Sequence, residues 1–395
     1  MVSDTPRKPV ILTFVGIYLP GYKSGGPLRT IANIAEALGD EFDFRIVTAD
    51  RDRGEVKPYA NLDPDRIWIS VGKANVRYLA PGERSLSAIG RILRETPHDV
   101  LYLNSFFDVD FTIKPLLARW LRLAPRTSCI VAPRGEFSPN ALRIKAWKKT
   151  PFLWFAGLTN LYGGLMWQAS STHEAADIVR MRGMSAGPVH VAIDLPGGKA
   201  GALPAHRPRS NGEALRICFL SRISPMKNLD YALEVLQQVK TDVRFDIYGP
   251  IADAPYWTAC QALKSRLPPR VSVAYRGCVE HAQVPSVLAQ YDVFFLPTRG
   301  ENFGHAIIEA LAAGTPVLIA DTTPWRDLEK SGVGWDFSLK QPEAFAGAID
   351  SLSHMTSDEL LHMRARATSF AENCKSDPAA VGASRDLFSA AITAA

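Results

Sequence analysis

The sequence predicts an α/β chain with two Rossmann-like domains, each built on a parallel sheet, facing each other across a cleft. Three observations carry this expectation. The 395 residues exceed one core, since single cores stop growing at about 250–300 residues. Short, β-branched apolar runs alternate with helical patterns, as in βα units around parallel sheets. That alternation lapses over a Gly-, Pro- and Ala-rich aperiodic stretch and then restarts. The expected divisions are a first domain at 1–194, a linker at 195–212, a second domain at 213–370 and a final segment at 371–395.

In chain order, Val10–Tyr18 reads as the first strand and Leu28–Leu38 as the amphipathic helix after it. Phe44–Thr48, Val100–Leu103 and Cys129–Ala132 are further strands of the first half. The second half restarts with strands at Leu215–Leu220, Arg244–Tyr248, Val271–Tyr275, Val293–Leu296 and Val317–Ala320. Helices fit between them at Leu229–Val239, Val284–Leu288 and His305–Ala313.

Composition narrows the class. With 47% hydrophobic and 22% charged residues, the chain is neither disordered nor a disulfide scaffold. A net charge of +5 falls short of a nucleic-acid coat, so no nucleic-acid partner is expected. Five scattered cysteines without a C-x-x-C pair point to a reduced, cytosolic chain without structural zinc. The polar start and short apolar run Val10–Leu19 give no targeting segment. The stretch 150–172 lacks charge but holds Pro151, Gly157, Asn160, Gly163, Gly164 and Gln168, which exclude a lipid-exposed helix.

Ligands of open parallel sheets bind beyond the carboxyl ends of strands, so chemistry is sought in three loops. The first, Pro20 to Pro27, contains Gly25 and Gly26, which let backbone amides approach an anion at a helix start. Asp50 occupies the place of a ribose-binding acid, yet G-x-G-x-x-G is absent and a dinucleotide fingerprint is rejected. The second loop, Ser221 to Asn228, brackets a helix start with Arg222 and Lys227, a fork and a point charge suited to a diphosphate. The third runs from Gly300 through Glu301, Phe303, Gly304 and His305 to Glu309 in a nearly wholly apolar helix. An unpartnered carboxylate there would cost several kcal/mol, roughly, so Glu309 requires a structural cation or a pair of ribose hydroxyls.

Glu301-x7-Glu309, followed by Ala310 and Gly314-x-Pro316-Val317, resembles the signature of the family 4 (group 1) retaining glycosyltransferases of the GT-B fold. The Arg222…Lys227 and Gly25-Gly26 loops occur at matching positions, and the resemblance covers nearly the whole chain. It implies that Arg222 and Lys227 hold a donor diphosphate, Glu309 the nucleotide ribose and Glu301 hydroxyls of the donor sugar. Amides around Phe303, Gly304 and His305 would support sugar and phosphate, and the nucleobase would lie near Gly277 to Val279. By the same resemblance the first domain is the acceptor side, the second binds the nucleotide-sugar, and 371–395 is a helix crossing back to the first domain. Arg222, Lys227 and Glu301 are the expected catalytic residues.

Two departures stand out. Where many family members carry a first-domain histidine, this sequence offers Arg134 and Glu136 after its matching strand, and both become acceptor-side candidates. Ser221 replaces the usual glycine before the arginine. The implied activity is sugar transfer from a nucleotide-sugar to an acceptor hydroxyl, in polysaccharide, lipopolysaccharide or glycolipid assembly. A GT-B epimerase, a phosphorylase or a non-catalytic sugar-nucleotide-binding protein are the alternatives. No cofactor or metal is expected: Asp108-x-Asp110 is a common tripeptide, and no histidine pair has ligand spacing.

Residues 111–150 hold nine cations and one anion, Glu136, a local +8, and Pro151, Phe152, Leu153, Trp154 and Phe155 follow directly. Basic residues beside aromatics suit an anionic lipid surface, so the stretch 111–155 is expected to seat the first domain on the inner face of the cytoplasmic membrane, against a lipid-linked acceptor.

Overall fold

The computed structural model describes residues 7–22, 25–60, 62–63, 67–143, 146–181, 187–197, 209–210, 212–375 and 377–394. The chain forms two compact units, Met1–Leu195 with Pro378–Ala395, and Pro196–Asp377. Most of the expected linker, 198–208 and 211, lies outside the described residues.

The first unit runs β1 (Val10–Val15), α1 (Gly26–Leu38), β2 (Asp43–Ala49), β3 (Ile69–Val71), β4 (Ala74–Leu79), α2 (Leu86–Glu95), β5 (Val100–Asn104), α3 (Lys114–Trp120), β6 (Ser128–Ala132), α4 (Pro139–Arg143), α5 (Ala146–Leu158), β7 (Met166–Ala169), α6 (Thr172–Arg180) and β8 (Val189–Val191). The second continues with β9 (Leu215–Leu220), α7 (Leu229–Leu236), β10 (Val243–Tyr248), α8 (Ala254–Lys264), β11 (Val271–Gly277), α9 (Val284–Leu288), β12 (Val293–Leu296), α10 (His305–Ala312), β13 (Val317–Ala320), β14 (Gly334–Phe337), α11 (Pro342–His354) and α12 (Ser357–Lys375). The helix α13 (Pro378–Thr393) belongs to the first unit.

The second sheet has six strands in the order β11-β10-β9-β12-β13-β14, all parallel. Numbered from β9, this is 3-2-1-4-5-6, the doubly wound order, and its direction reverses between β9 and β12. β12 and β13 are apolar throughout because helices cover both faces: Val293–Leu296 and Val317–Ala320 are buried at every position. The first sheet has eight strands, β3-β4-β2-β1-β5-β6-β7-β8, with β3 antiparallel to β4 and the other pairs parallel. Its reversal lies between β1 and β5.

Alternation along β1 assigns the layers of the first unit. Leu12 and Phe14 join the core that contains α2 and α3, whereas Ile11 and Val15 join Ile31, Ile34 and Leu38 of α1 and Leu387 and Phe388 of α13. The Phe388 ring centroid lies 5.6, 5.7 and 5.4 Å from those of Phe42, Phe44 and Tyr102.

Several boundaries differ from the sequence reading. β1 stops at Val15, because Gly16 ends the run and the chain turns through a cis Leu19–Pro20 bond. The returning helix begins at Pro378, since residues 357–375 form α12 of the second unit. β3, β4, β7, β8 and β14 were not anticipated. The uncharged stretch 150–172 divides into the end of α5, a turn and β7, and no described helix is long and apolar enough to cross a membrane.

Candidate functional site

The loops after β9 and β12 flank the reversal point of the second sheet, where diverging connections leave room for a ligand. The loop after β9 leads through Arg222 and a 3-10 turn at Pro225–Lys227 to Asn228, whose left-handed backbone (φ 62°) aims the chain into α7. The Asn228 amide donates to the Pro297 carbonyl at 2.8 Å, and its Oδ1 accepts from Arg299 Nε at 2.8 Å. Arg299 N and Thr298 Oγ1 both donate to the Met226 carbonyl, at 2.9 and 3.0 Å. The two loops are therefore sewn into one rim. Across that rim the Lys227 ammonium pairs directly with the Glu301 carboxylate, both side chains being mostly but not fully buried.

Backbone constraints hold the rim. At Gly249 (φ 127°) an added Cβ would fall 2.0 Å from the Ser221 carbonyl oxygen, so the loop after β9 passes where only glycine leaves space. Gly249 N donates to the Gly277 carbonyl at 2.8 Å, which ties in the loop after β11. Gly277 has φ 80° and open space where a Cβ would stand, and Val279 is half-buried beyond it.

α10 starts at Gly304 (φ 83°), which offers no side chain to the first helical amides. Those amides carry the positive end of the helix dipole toward the rim. Phe303 is buried, its carbonyl accepts from the Trp325 indole, and its ring lies 4.8 Å from that of His305. Glu309 corrects the sequence expectation of an isolated carboxylate in an apolar helix. Its side chain is 23% exposed, and Oε1 lies 3.8 Å from His281 Nδ1. It also acts electrostatically on Lys375, whose ammonium burial pushes down in pKa. A glutamate at the margin of the core can accept from a ligand hydroxyl without a buried cation.

The first-unit candidates divide. Gly25 (φ 74°) caps α1, with Gly26 and Pro27 opening the helix, while Lys23 and Ser24 lie outside the described residues. Arg134 and Glu136 are committed to the scaffold. The Arg134 guanidinium donates to Asp194 at 2.7 Å, to Tyr102 Oη at 2.6 Å and to Asn104 Oδ1 at 2.8 and 3.2 Å. Nearby, Glu174 accepts from Gly135 N at 2.5 Å and from Ser170 N at 2.8 Å. Glu136 accepts from Phe106 N at 2.5 Å, Phe107 N at 3.1 Å and Ser105 Oγ at 2.9 Å, and burial raises its pKa despite those bonds. Asp108 is a helix cap, accepting from Asp110 N and Phe111 N at 3.0 and 2.9 Å, and Asp110 pairs with Lys114 at 2.6 Å. Asp50 is paired with Arg51 and Arg84. Among the described residues, no group of three or more His, Cys, Asp or Glu could hold a metal ion.

The fold is GT-B. The chain superimposes on sucrose-phosphate synthase from Thermosynechococcus elongatus with a TM-score of 0.68 at 15% identity, covering 98% of this chain and 100% of that one. It matches Anabaena HepE in complex with UDP and glucose with a TM-score of 0.66 at 15% identity, covering 97% and 99%. Residues 206–372 match the glycosyl transferases group 1 family. A D-inositol 3-phosphate glycosyltransferase of Streptomyces scabiei (strain 87.22) is 29% identical over 245 residues, 57% of this chain and 53% of the relative. The chain thus spans about half the length of that curated relative.

Sequence reasoning did not find Asn228, Arg299, Trp325 or His281. Asn228 and Arg299 adjoin motif residues and carry a polar signal, but their partners lie about 70 positions away in the chain, a separation that no local spacing rule bridges.

Proposed function

We propose that the protein transfers a sugar from a nucleotide-sugar to an acceptor hydroxyl with retention of anomeric configuration, as a family 4 glycosyltransferase of polysaccharide or glycolipid assembly. The observation that carries this reading is the fused rim of the second unit, where Lys227 meets Glu301 beside Arg222 and the start of α10.

In this reading the bond from the anomeric carbon to the diphosphate oxygen breaks, and the acceptor oxygen bonds to that carbon on the same face. The acceptor proton passes to the departing diphosphate, so no side chain need serve as nucleophile. What the chain must supply is charge stabilisation as the diphosphate leaves. Arg222 matches two phosphate oxygens with a planar fork, and Lys227 adds a point charge. Glu301 gives Lys227 a counter-ion before the donor binds, then accepts from donor-sugar hydroxyls once the ammonium turns to phosphate. Glu309 accepts from the ribose, and the amides of Phe303, Gly304 and His305 face sugar and phosphate. The nucleobase rests near Gly277 and Val279.

The structure of HepE holds UDP and glucose, so uridine diphosphate is the first nucleotide to test. A thermal-shift comparison of UDP, GDP and ADP should show one that stabilises by RT ln(1 + [L]/Kd). Release of that nucleoside diphosphate from its sugar donor should then rise when acceptor saccharides are added. Interconversion of the donor sugar without acceptor would instead mark an epimerase, and binding without turnover would leave a sugar-nucleotide-binding protein.

A further inference from the structure

The helix α5 is apolar on both of its faces, and only one is covered. Phe152, Leu153 and Ala156 point inward and join the core of the first unit, where the Phe152 ring lies 5.8 Å from Phe106 and 6.0 Å from Phe107. On the opposite side Trp147, Pro151, Trp154, Phe155 and Leu158 are exposed. At 100° per residue these five fall within an arc of about 100°, a single ridge. Trp147, Trp154 and Leu158 are 74, 72 and 71% exposed. Helices of soluble proteins turn such stripes inward, so an outward one marks a surface with a partner.

Charge selects the partner. From residue 137 to 173 there is no acidic side chain, and Arg143, Lys145, Lys148 and Lys149 bracket the start of the ridge. Lys145 lies outside the described residues. Arg143 and Lys148 are exposed, and the Lys148 ammonium stands 4.9 Å from the centroid of the Trp147 ring. Lys149 is instead spent on the scaffold, donating to the Ala141 carbonyl at 2.7 Å. Pro151 has no amide hydrogen, so the Trp147 carbonyl lacks the helical donor four residues on. Indole rings and adjacent cationic side chains suit a layer that is apolar below and anionic above.

We propose that α5 is an interfacial anchor that lies in the headgroup region of an anionic bilayer, with Trp147, Trp154, Phe155 and Leu158 dipping below the phosphates and Arg143 and Lys148 held at them. The inference is independent of the glycosyl-transfer reading and narrows the broad basic stretch of the sequence to one helix face. A helix of this kind lies on the membrane and does not cross it.

The test is co-sedimentation of the full chain with phosphatidylcholine vesicles, with and without phosphatidylglycerol, followed by tryptophan emission. The expected result is binding to the anionic vesicles alone, with a blue shift, weakening as salt rises. Arg143→Glu/Lys148→Glu should lower the partition coefficient by roughly fivefold or more for each cation. Trp147→Ser/Trp154→Ser should abolish the blue shift while leaving circular dichroism and nucleotide-induced thermal shift unchanged. Equal binding to both vesicle types, binding to neither, or full binding by the tryptophan variant would each overturn the proposal. So would dimerisation in vesicle-free buffer that the tryptophan variant removes, since the ridge would then serve a second copy.

Discussion

After β6 of the first unit, Arg134 has spent its donors on Asp194, Tyr102 and Asn104, and its side chain is 6% exposed. After β9 of the second unit, Lys227 has a single described partner, Glu301, which is itself a loop residue at the rim. Both positions follow a parallel strand and both carry a cation, yet one belongs to the interior and the other to a surface that can exchange partners. The difference comes from what faces them. Arg134 meets buried Tyr102 and Asn104 of the single strand β5 and a carboxylate from beyond β8, so its charge is neutralised within the fold. Lys227 meets a carboxylate that is itself a partly exposed loop group. A charge after a strand therefore signals function only when its counter-charge is also at the rim.

Substitutions at these positions test that contrast most sharply. Arg134→Met should remove the Arg134 ion pair of the buried Asp194 carboxylate and cost about 3–5 kcal/mol in urea unfolding. The nucleoside diphosphate should still stabilise the second unit in that variant. Arg222→Ala should do the reverse: turnover falls by about 10²–10³ while the unfolding midpoint stays nearly unchanged. Wild-type turnover in the arginine variant would remove the assignment of the rim. Gly249→Ala comes next, because its Cβ would meet the Ser221 carbonyl at 2.0 Å. It should cost about 1–3 kcal/mol and weaken diphosphate binding in parallel, as read by calorimetry.

The smallest effect belongs to His98 of the first unit. Its Nδ1 donates to the Thr96 carbonyl at 2.6 Å, and burial holds the imidazole below its ordinary value of 6.5. The unfolded chain therefore takes up this proton more readily than the folded one. Stability should fall as pH drops below 6.5, with a slope contribution of at most about 1.4 kcal/mol per pH unit. His98→Asn should flatten that slope in thermal melts across the same window.

How much of this was legible depended on how completely an element is buried. β9, β12 and β13 appear in the sequence with their observed limits, because strands covered on both faces read as apolar runs, broken only by Arg216 near the start of β9. β4, Ala-Asn-Val-Arg-Tyr-Leu, mixes polar residues into an outer strand, and β14 opens with glycine, so neither stands out from a loop. In the second-unit rim, Arg222, Lys227 and Glu301 were singled out as candidates from loop position and residue type. The Lys227–Glu301 pairing was not, since its members are 74 positions apart. Arg134 and Glu136 show the complementary limit: groups that bond them, Asp194 and Ser105, come from other strand ends that no local spacing links to them.

The placement of α13 bears on how the chain is made. Phe388 completes an aromatic cluster with Phe42, Phe44 and Tyr102, yet the ribosome adds it only after all of residues 196–377. At about 5–20 residues per second, that delay is on the order of 10–40 s. For that interval one face of the first sheet waits without its last helix while the second unit is synthesised and can close by itself. A nascent chain halted before residue 378 would hold a finished second unit and an unfinished first one, a natural target for chaperones that recognise exposed aromatic rings.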